Sequence, residues 1–319
     1  MDMRVIVGQL AVLFIIVLAG YLACKIKALS PETGKILTKV VFNITLPCTI
    51  LSTVAGGDLA ITGSETAFFM LFSLLAFLIF FLFALVTSWA LGRGQPGVGP
   101  GGAVILPHKE NRGLFSTMIV LGNVTFMGLP VSNAIFGPES ALYVALFNIP
   151  FWIINFSVAP VMISSKGGKF DPKLLLNPSL AAALLVIPLA IAGFRAPAVV
   201  ADVLRLTGSV TTPAAMLIIG ITLAQVPVRH VFSEWRLYPL AFVKLVAAPV
   251  VVWLIFRQFI ANDLMLGVLV VLSAMPTAAN VAMLAIEYKG NARIASSGVF
   301  LTTLLSGATV PLIVYFLLI

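Results

Sequence analysis

Stretches of roughly 20 apolar residues recur from one end of this chain to the other, and they constrain it more than any single motif. At about 1.5 Å of rise per residue, about 20 residues of helix cross a hydrocarbon layer about 30 Å thick. Ten such runs can be read in the 319 residues, at 5–24, 40–55, 67–91, 114–136, 141–163, 174–193, 209–226, 237–256, 264–286 and 294–318. A barrel strand would alternate apolar and polar faces over about 10 residues, whereas these runs are apolar all round, so helices are the only reading. Composition agrees, with 61% of residues hydrophobic, 9% charged and a mean hydropathy of +1.13. A soluble domain is roughly half apolar and about a quarter charged, so this chain lacks the polar surface to cover a water-exposed globule. The fold class expected is an all-α integral membrane protein with ten transmembrane helices. Cys24 and Cys48 sit inside or at the edge of apolar runs and are too few for a disulfide framework or a four-ligand zinc site.

The first run is read as a retained helix, because its flank has no small-x-small cleavage pattern and continues into Lys25 and Lys27. Fourteen of the 19 Lys and Arg fall in alternate loops: Lys25, Lys27, Lys35 and Lys39; Arg93, Lys109 and Arg112; Lys166, Lys169 and Lys173; Arg229 and Arg236; Lys289 and Arg293. The opposite loops carry Arg4, Arg195, Arg205 and Arg257. The positive-inside rule makes the richer side cytoplasmic and puts both termini on the non-cytoplasmic side. The net charge of +8 is thereby topological, and no basic patch interleaved with aromatics offers a nucleic-acid surface. The longest loop, 92–112, is Gly- and Pro-rich and reads as a flexible cytoplasmic connection without a soluble domain.

Two halves of five spans would enter the membrane from opposite sides, and internal similarity supports that division at 1–165 and 166–319. Ile44-Thr45-Leu46-Pro47 matches Val210-Thr211-Thr212-Pro213; Gly128-Leu129-Pro130 matches Ala274-Met275-Pro276; Val158-Ala159-Pro160-Val161 resembles Thr309-Val310-Pro311-Leu312. Three matches in order argue for an inverted-repeat secondary transporter.

Such carriers expose polar groups at mid-membrane on helices broken by Pro or Gly. The fourth run reads Leu121-Gly122-Asn123-Val124-Thr125-Phe126-Met127-Gly128-Leu129-Pro130-Val131-Ser132-Asn133, and the ninth reads Ser273-Ala274-Met275-Pro276-Thr277-Ala278-Ala279-Asn280. An asparagine left unsatisfied in hydrocarbon costs about 1 to 3 kcal/mol, so Asn123 and Asn280 point to a ligand site. Helix gluing is the bland alternative for each polar residue taken alone. Asn43, Thr125, Ser132, Ser273 and Thr277 are further binding candidates. Gly122, Gly128, Pro130, Pro276, Pro47 and Pro213 would shape the breaks and the helices opposite them. Helix N-termini opened by such breaks carry partial positive charge, and no Asp or Glu lies centrally in a run, so the cargo expected is an anion. Lys244, about 10 Å into the eighth run, is either a counter-charge for a carboxylate or a side chain snorkelling to the nearby interface. Asn148 and Asn155, seven residues apart on one face of the fifth span, suit bonds to a neighbouring helix. His108 and His230 fall in cytoplasmic loops.

These motifs resemble the auxin efflux carrier family. Gly20-Tyr21-Leu22, Leu29-Ser30-Pro31-Glu32 and Val41-Phe42-Asn43-Ile44-Thr45-Leu46-Pro47 are similar to that family's first two helices, and Asn123 with Met127-Gly128-Leu129-Pro130 to its fourth, with Gly122 where the plant carriers commonly have Pro. Lys244-Leu245 with Pro249 resembles the eighth, and Ala274-Met275-Pro276, Ala285-Ile286-Glu287-Tyr288 and 296–311 the last two. The resemblance implies a ten-helix fold shared with bile-acid sodium symporters. Helices one, two, six and seven would form a scaffold, the others a transport unit, with the site where the broken fourth and ninth helices cross. It implies elevator-like transport of mono- or dicarboxylates such as malonate. Sodium-coupled relatives carry an acid near the ninth-helix crossing; this chain has Asn280 there and no acid before Glu287. A sodium-coupled symporter of the same fold is the alternative. An intramembrane enzyme would want convergent acids, bases or a metal, which the runs do not supply. No cofactor or metal is called for. The partners expected are the small organic anion and membrane lipid, with a homodimer the assembly open to it, in the cell inner membrane.

Overall fold

The computed structural model describes residues 3–55, 63–91, 108–164, 178–226 and 231–319. Twelve helices are built from them: α1 (Met3–Lys25), α2 (Pro31–Ala55), α3 (Gly63–Leu91), α4 (His108–Val120), α5 (Val124–Phe136), α6 (Ser140–Ile163), α7 (Pro178–Ile191), α8 (Ala198–Ala224), α9 (Leu237–Phe256), α10 (Asp263–Ser273), α11 (Asn280–Glu287) and α12 (Ala292–Leu318). No strand occurs among the described residues. Seven helices, α1, α2, α3, α6, α8, α9 and α12, are long and apolar enough to cross a membrane, while α5, α7 and α10 are shorter apolar helices. The Gly-rich stretch 92–107 and His230 lie outside the described residues.

Polar helix ends were hidden from a reading based on apolar runs. α2 begins at Pro31, nine residues ahead of its apolar part. Ser30 and Thr33 form a capping box, each accepting from the other's backbone N–H at 3.3 Å, and Pro31 occupies the first turn, where its missing N–H costs nothing. α8 begins at Ala198, directly after Pro197, and its exposed Asp202–Arg205 pair at 2.6 Å follows helical i,i+3 spacing. The runs 114–136 and 264–286 each fold as two helices, α4 with α5 and α10 with α11.

Three helices contain a π turn, at Val41–Thr45, Val124–Gly128 and Val243–Ala247. Each ends two residues before a proline: Pro47, Pro130 or Pro249. A proline ring clashes with the carbonyl four residues back and offers no N–H, and widening the preceding turn relieves both. The N–H groups of Leu46, Leu129 and Ala248 accordingly reach five residues back, to the carbonyls of Val41, Val124 and Val243. The next carbonyl in each turn, on Phe42, Thr125 or Lys244, then faces a proline where its fifth-residue donor would be. Phe42 O is rescued by the Ser179 hydroxyl of α7, which donates to it at 2.6 Å.

Glycines let the helices approach closely. α1 packs along the 211–224 half of α8, where a Cβ on Gly20 would lie 2.7 Å from Leu217 O and one on Gly220 2.1 Å from Val17 O. The 46–55 half of α2 packs on α7 and on the 198–209 half of α8; α3 packs on α4, α6 and α9. Between α2 and α8, Thr211 Oγ1 donates to Thr45 Oγ1 at 2.9 Å, and Thr49 Oγ1 reaches Gly208 O at 2.9 Å. Large apolar side chains such as Leu82, Leu85, Val86, Val199, Leu206 and Phe316 are exposed on the outer surface, which suits acyl chains and not water.

Candidate functional site

Helix α4 ends at Val120 and α10 at Ser273, and the extended segments that follow cross each other. Gly122 and Thr277 form an antiparallel bridge. Asn123 donates its backbone N–H to Pro276 O at 2.7 Å, and Ala278 donates to Leu121 O at 2.9 Å. Each broken helix thereby satisfies the main-chain groups freed in the other, which is what permits irregular backbone inside an apolar molecule. Thr277 adds two bonds: its N–H donates to Thr302 Oγ1 on α12 at 3.1 Å, and its hydroxyl to Met118 O on α4 at 3.0 Å.

The crossing sorts the sequence candidates by what their side chains already do. Thr125 donates to Asn148 Oδ1 at 2.7 Å, and Asn280 donates through Nδ2 to Asn155 Oδ1 at 2.7 Å, so the two asparagines of α6 each hold one of the broken helices. Ser273 donates to Leu269 O within α10 at 2.7 Å. Asn43 is exposed on α2, with its Nδ2 given to Lys39 O at 2.8 Å. Ser132 is buried in α5 with its hydroxyl unpaired. Asn123, like Ser132, is left uncommitted: it caps α5, is only 4% exposed, and its side-chain amide takes no hydrogen bond from the helix it caps. Of the candidate break residues, Gly122 and Pro276 lie in the crossing itself. Gly128 ends the π turn of α5 and Pro130 follows two residues later inside the helix; Pro47 follows the π turn of α2, and Pro213 is exposed in α8.

Lys244 reaches the crossing. Its side chain is fully buried, and its Nζ lies 4.9 Å from the Phe80 ring centre and would be 3.1 Å from a Cβ on Gly122. Its ammonium has no hydrogen-bond partner among the described residues, and no carboxylate there pairs with it. The structure therefore turns Lys244 inward, away from the interface to which a lysine could snorkel. Gly122 leaves room for the lysine head, which a Cβ there would crowd at 3.1 Å. The crossing thus combines a buried lysine head that is positive when protonated, the N-terminus of α5 and an amide with spare donors, a set that complements an anion. Among the described residues no cluster of His, Cys, Asp or Glu could hold a metal.

Sequence reasoning missed Phe80, which supports Lys244, and the partners Met118 and Thr302. No local signal marks them, since a carbonyl looks the same everywhere in a sequence and Phe80 is one of 23 phenylalanines. Asn148 and Asn155 were legible as helix-to-helix contacts through their spacing.

Apolar helices around a crossing of two broken ones define a membrane transporter, and sequence comparison agrees. The family model for membrane transport proteins, the family of the auxin efflux carriers, matches residues 5–174 and 172–314, so the chain belongs to that family. It is 26% identical over 304 residues to an uncharacterized transporter of Methanocaldococcus jannaschii, covering 92% of this chain and 93% of that one. An uncharacterized transporter of Methanothermobacter thermautotrophicus is 25% identical over 303 residues, 93% of this chain and 94% of its own. A protein of Rhizobium meliloti named "Putative malonate transporter" is 28% identical over 205 residues, 61% of this chain and 63% of its own.

Proposed function

We propose that this protein is a carrier of small organic anions, mono- or dicarboxylates such as malonate, and not an enzyme. The observation that carries the reading is the Lys244 ammonium, fully buried and unpartnered against Gly122 beside the uncommitted amide of Asn123. A buried charge without a partner is costly, and a carboxylate entering the crossing would relieve it. The relative named for malonate supports that class of cargo. In this reading Asn123 and the α5 amides hold the carboxylate, Lys244 supplies the counter-charge, and Thr125, Thr277 and Asn280 keep the broken helices in place.

The same proposal gives the chain ten spans, with α4–α5 and α10–α11 as the broken fourth and ninth, in two inverted halves. Thr45 and Thr211 support it, because they occupy matching places in the internal repeat and hydrogen-bond to each other at 2.9 Å, as equivalent positions do at a two-fold axis. The packing of α1 on α8 is matched by that of α7 on α2, which exchanges first-half and second-half helices. α1, α2, α7 and α8 then form the scaffold, and the remaining helices the unit that moves as an elevator in the inner membrane. The rival is a sodium-coupled symporter of this fold; a sodium ion at the crossing would face the like charge of Lys244.

The test is uptake of labelled malonate and other short carboxylates into proteoliposomes, with voltage, pH and sodium gradients imposed one at a time. Saturable uptake that follows voltage or pH and ignores sodium is expected; a requirement for sodium establishes the rival. Asn123→Ala should abolish uptake with folding intact, whereas Asn280→Ala, which strands Asn155, should lower stability by about 1–3 kcal/mol. Equal loss of folded protein in both would assign Asn123 a structural role.

A further inference from the structure

Five aromatic rings cluster where α2 meets α5 and α6, with Phe42 and Trp152 at the centre. Phe42 lies about 16 Å along α2 from Pro31, and Trp152 about 18 Å along α6 from Ser140, which places both near the middle of their helices. Phe126 is three residues past Asn123, in the π turn that opens α5. The Phe42 ring meets Phe126 edge-on, with centres 5.1 Å apart at 68°, and meets Trp152 at 5.2 Å and 71°. Trp152 in turn lies against Phe151 at 5.2 Å and stacks on Phe156 at 5.5 Å and 10°.

Phe42 and Phe126 are each mounted on a π turn forced by a proline, Pro47 and Pro130. The distortion under Phe42 is held from α7, where Ser179 takes the carbonyl that the turn frees, at 2.6 Å. The ring therefore belongs with α2 and α7, while Phe126 stands on the broken helix α5 and Trp152 on α6, whose Asn148 and Asn155 hold both broken helices. Edge-to-face aromatic contacts are directional but individually weak, so they can part and re-form as two packed bodies slide. They offer no hydrogen bond to a carboxylate. Their effect on an acid held at Asn123 is steric: Phe126 follows Asn123 by three residues, so a carbon skeleton that extends from the carboxylate toward α2 would meet the contact between Phe126 and Phe42.

We propose that Phe42, closing on Phe126 and Trp152, is the size filter of the carboxylate site and the contact that must open in each transport cycle. The proposal rests on the carrier reading above and deepens it by naming the residue that confines the cargo to short acids. Shortening this side chain enlarges the site without touching the polar groups that hold the carboxylate.

The test is uptake into proteoliposomes of malonate, butyrate and phenylacetate by the unaltered protein, Phe42→Ala, Phe42→Leu, and Phe72→Ala as a control. Phe72 pairs with Phe256 at 5.4 Å, between α3 and α9. Protection of each purified protein against heat by the same acids gives a readout independent of transport. In Phe42→Ala the ratio of phenylacetate to malonate uptake should rise about tenfold or more, the discrimination typical of a pocket that gains a few methylene volumes. Phe42→Leu should fall between, and it carries the test if the alanine variant does not fold; Phe72→Ala should leave the ratio unchanged. A folded, active Phe42 variant whose ratio stays at the unaltered value overturns the filter while leaving the carrier. Failure of the unaltered, folded protein to take up or be protected by any acid overturns the carrier reading and the filter with it.

Discussion

Lys244 brings a formal charge to a place where the chain otherwise buries apolar side chains and satisfied hydroxyls. Its turn of α9 packs on α12, and its head lies 4.9 Å from the Phe80 ring centre, a contact that offsets only part of the cost of leaving water. A residue kept at such cost for function should be dispensable for folding. Lys244→Met, similar in shape and uncharged, should raise thermal stability while reducing carboxylate uptake about 100-fold, a loss of about 2.7 kcal/mol of interaction. Gly122→Ala should likewise reduce uptake by a different route, because the added methyl would press on the flexible lysine head 3.1 Å away and displace it. Melting curves and initial uptake rates on the same preparations check both; a melting temperature that falls with uptake in Lys244→Met would make the lysine structural. The sequence showed that this lysine was unusual. It left open which way a four-carbon stem turns, since a position about 10 Å from an interface allows either direction.

At the scale of elements, the prolines divide into two kinds that look alike in the sequence. Pro150, Pro160, Pro188 and Pro311 lie inside helices without a π turn, whereas Pro47, Pro130 and Pro249 each follow one. At Pro47 the surroundings give the stranded carbonyl a hydroxyl from another helix, 137 residues distant, as Ser179 is from Phe42. The coupling is measurable. Ser179→Ala leaves Phe42 O unpaired in an apolar interior and should cost about 1–3 kcal/mol of stability. In a Pro47→Ala background the chain regains an N–H able to reach that carbonyl, so the serine should matter less. A double-mutant cycle on thermal or denaturant unfolding reads the difference, and purely additive effects would show that the serine acts on something else. The second and seventh runs begin at 40 and 209 in the sequence reading, yet the capping box at Ser30 and the exposed charges of α2 and α8 carry the two helices back to Pro31 and Ala198. Hydropathy sees only the part of a helix that lipid or protein covers.

For the whole molecule, the distribution of Lys and Arg makes a prediction that packing alone does not. With Cys24 and Cys48 replaced, a cysteine at Pro138→Cys should react with an impermeant thiol reagent added outside intact cells, and one at Glu287→Cys only after permeabilisation. The reverse pattern would invert the orientation read from loop charge. Membrane class, helix content and the positions of the broken helices were legible because each follows from local chemistry. About 20 apolar residues need a bilayer, and a Gly or Pro with asparagines marks irregular backbone. Membership of the transporter family was likewise written in the order of its motifs.

Only the tertiary structure decided which polar groups are spent on holding the fold and which are left for a ligand. Asn280 and Asn123 are the same amide in similar apolar runs, yet the Asn280 side chain meets Asn155, 125 residues away, while Asn123 caps a helix through its backbone carbonyl and not through its side chain. Hydrogen-bond satisfaction is a property of pairs brought together by packing, so a sequence can name the donors and acceptors of a buried site but not which of them remain free.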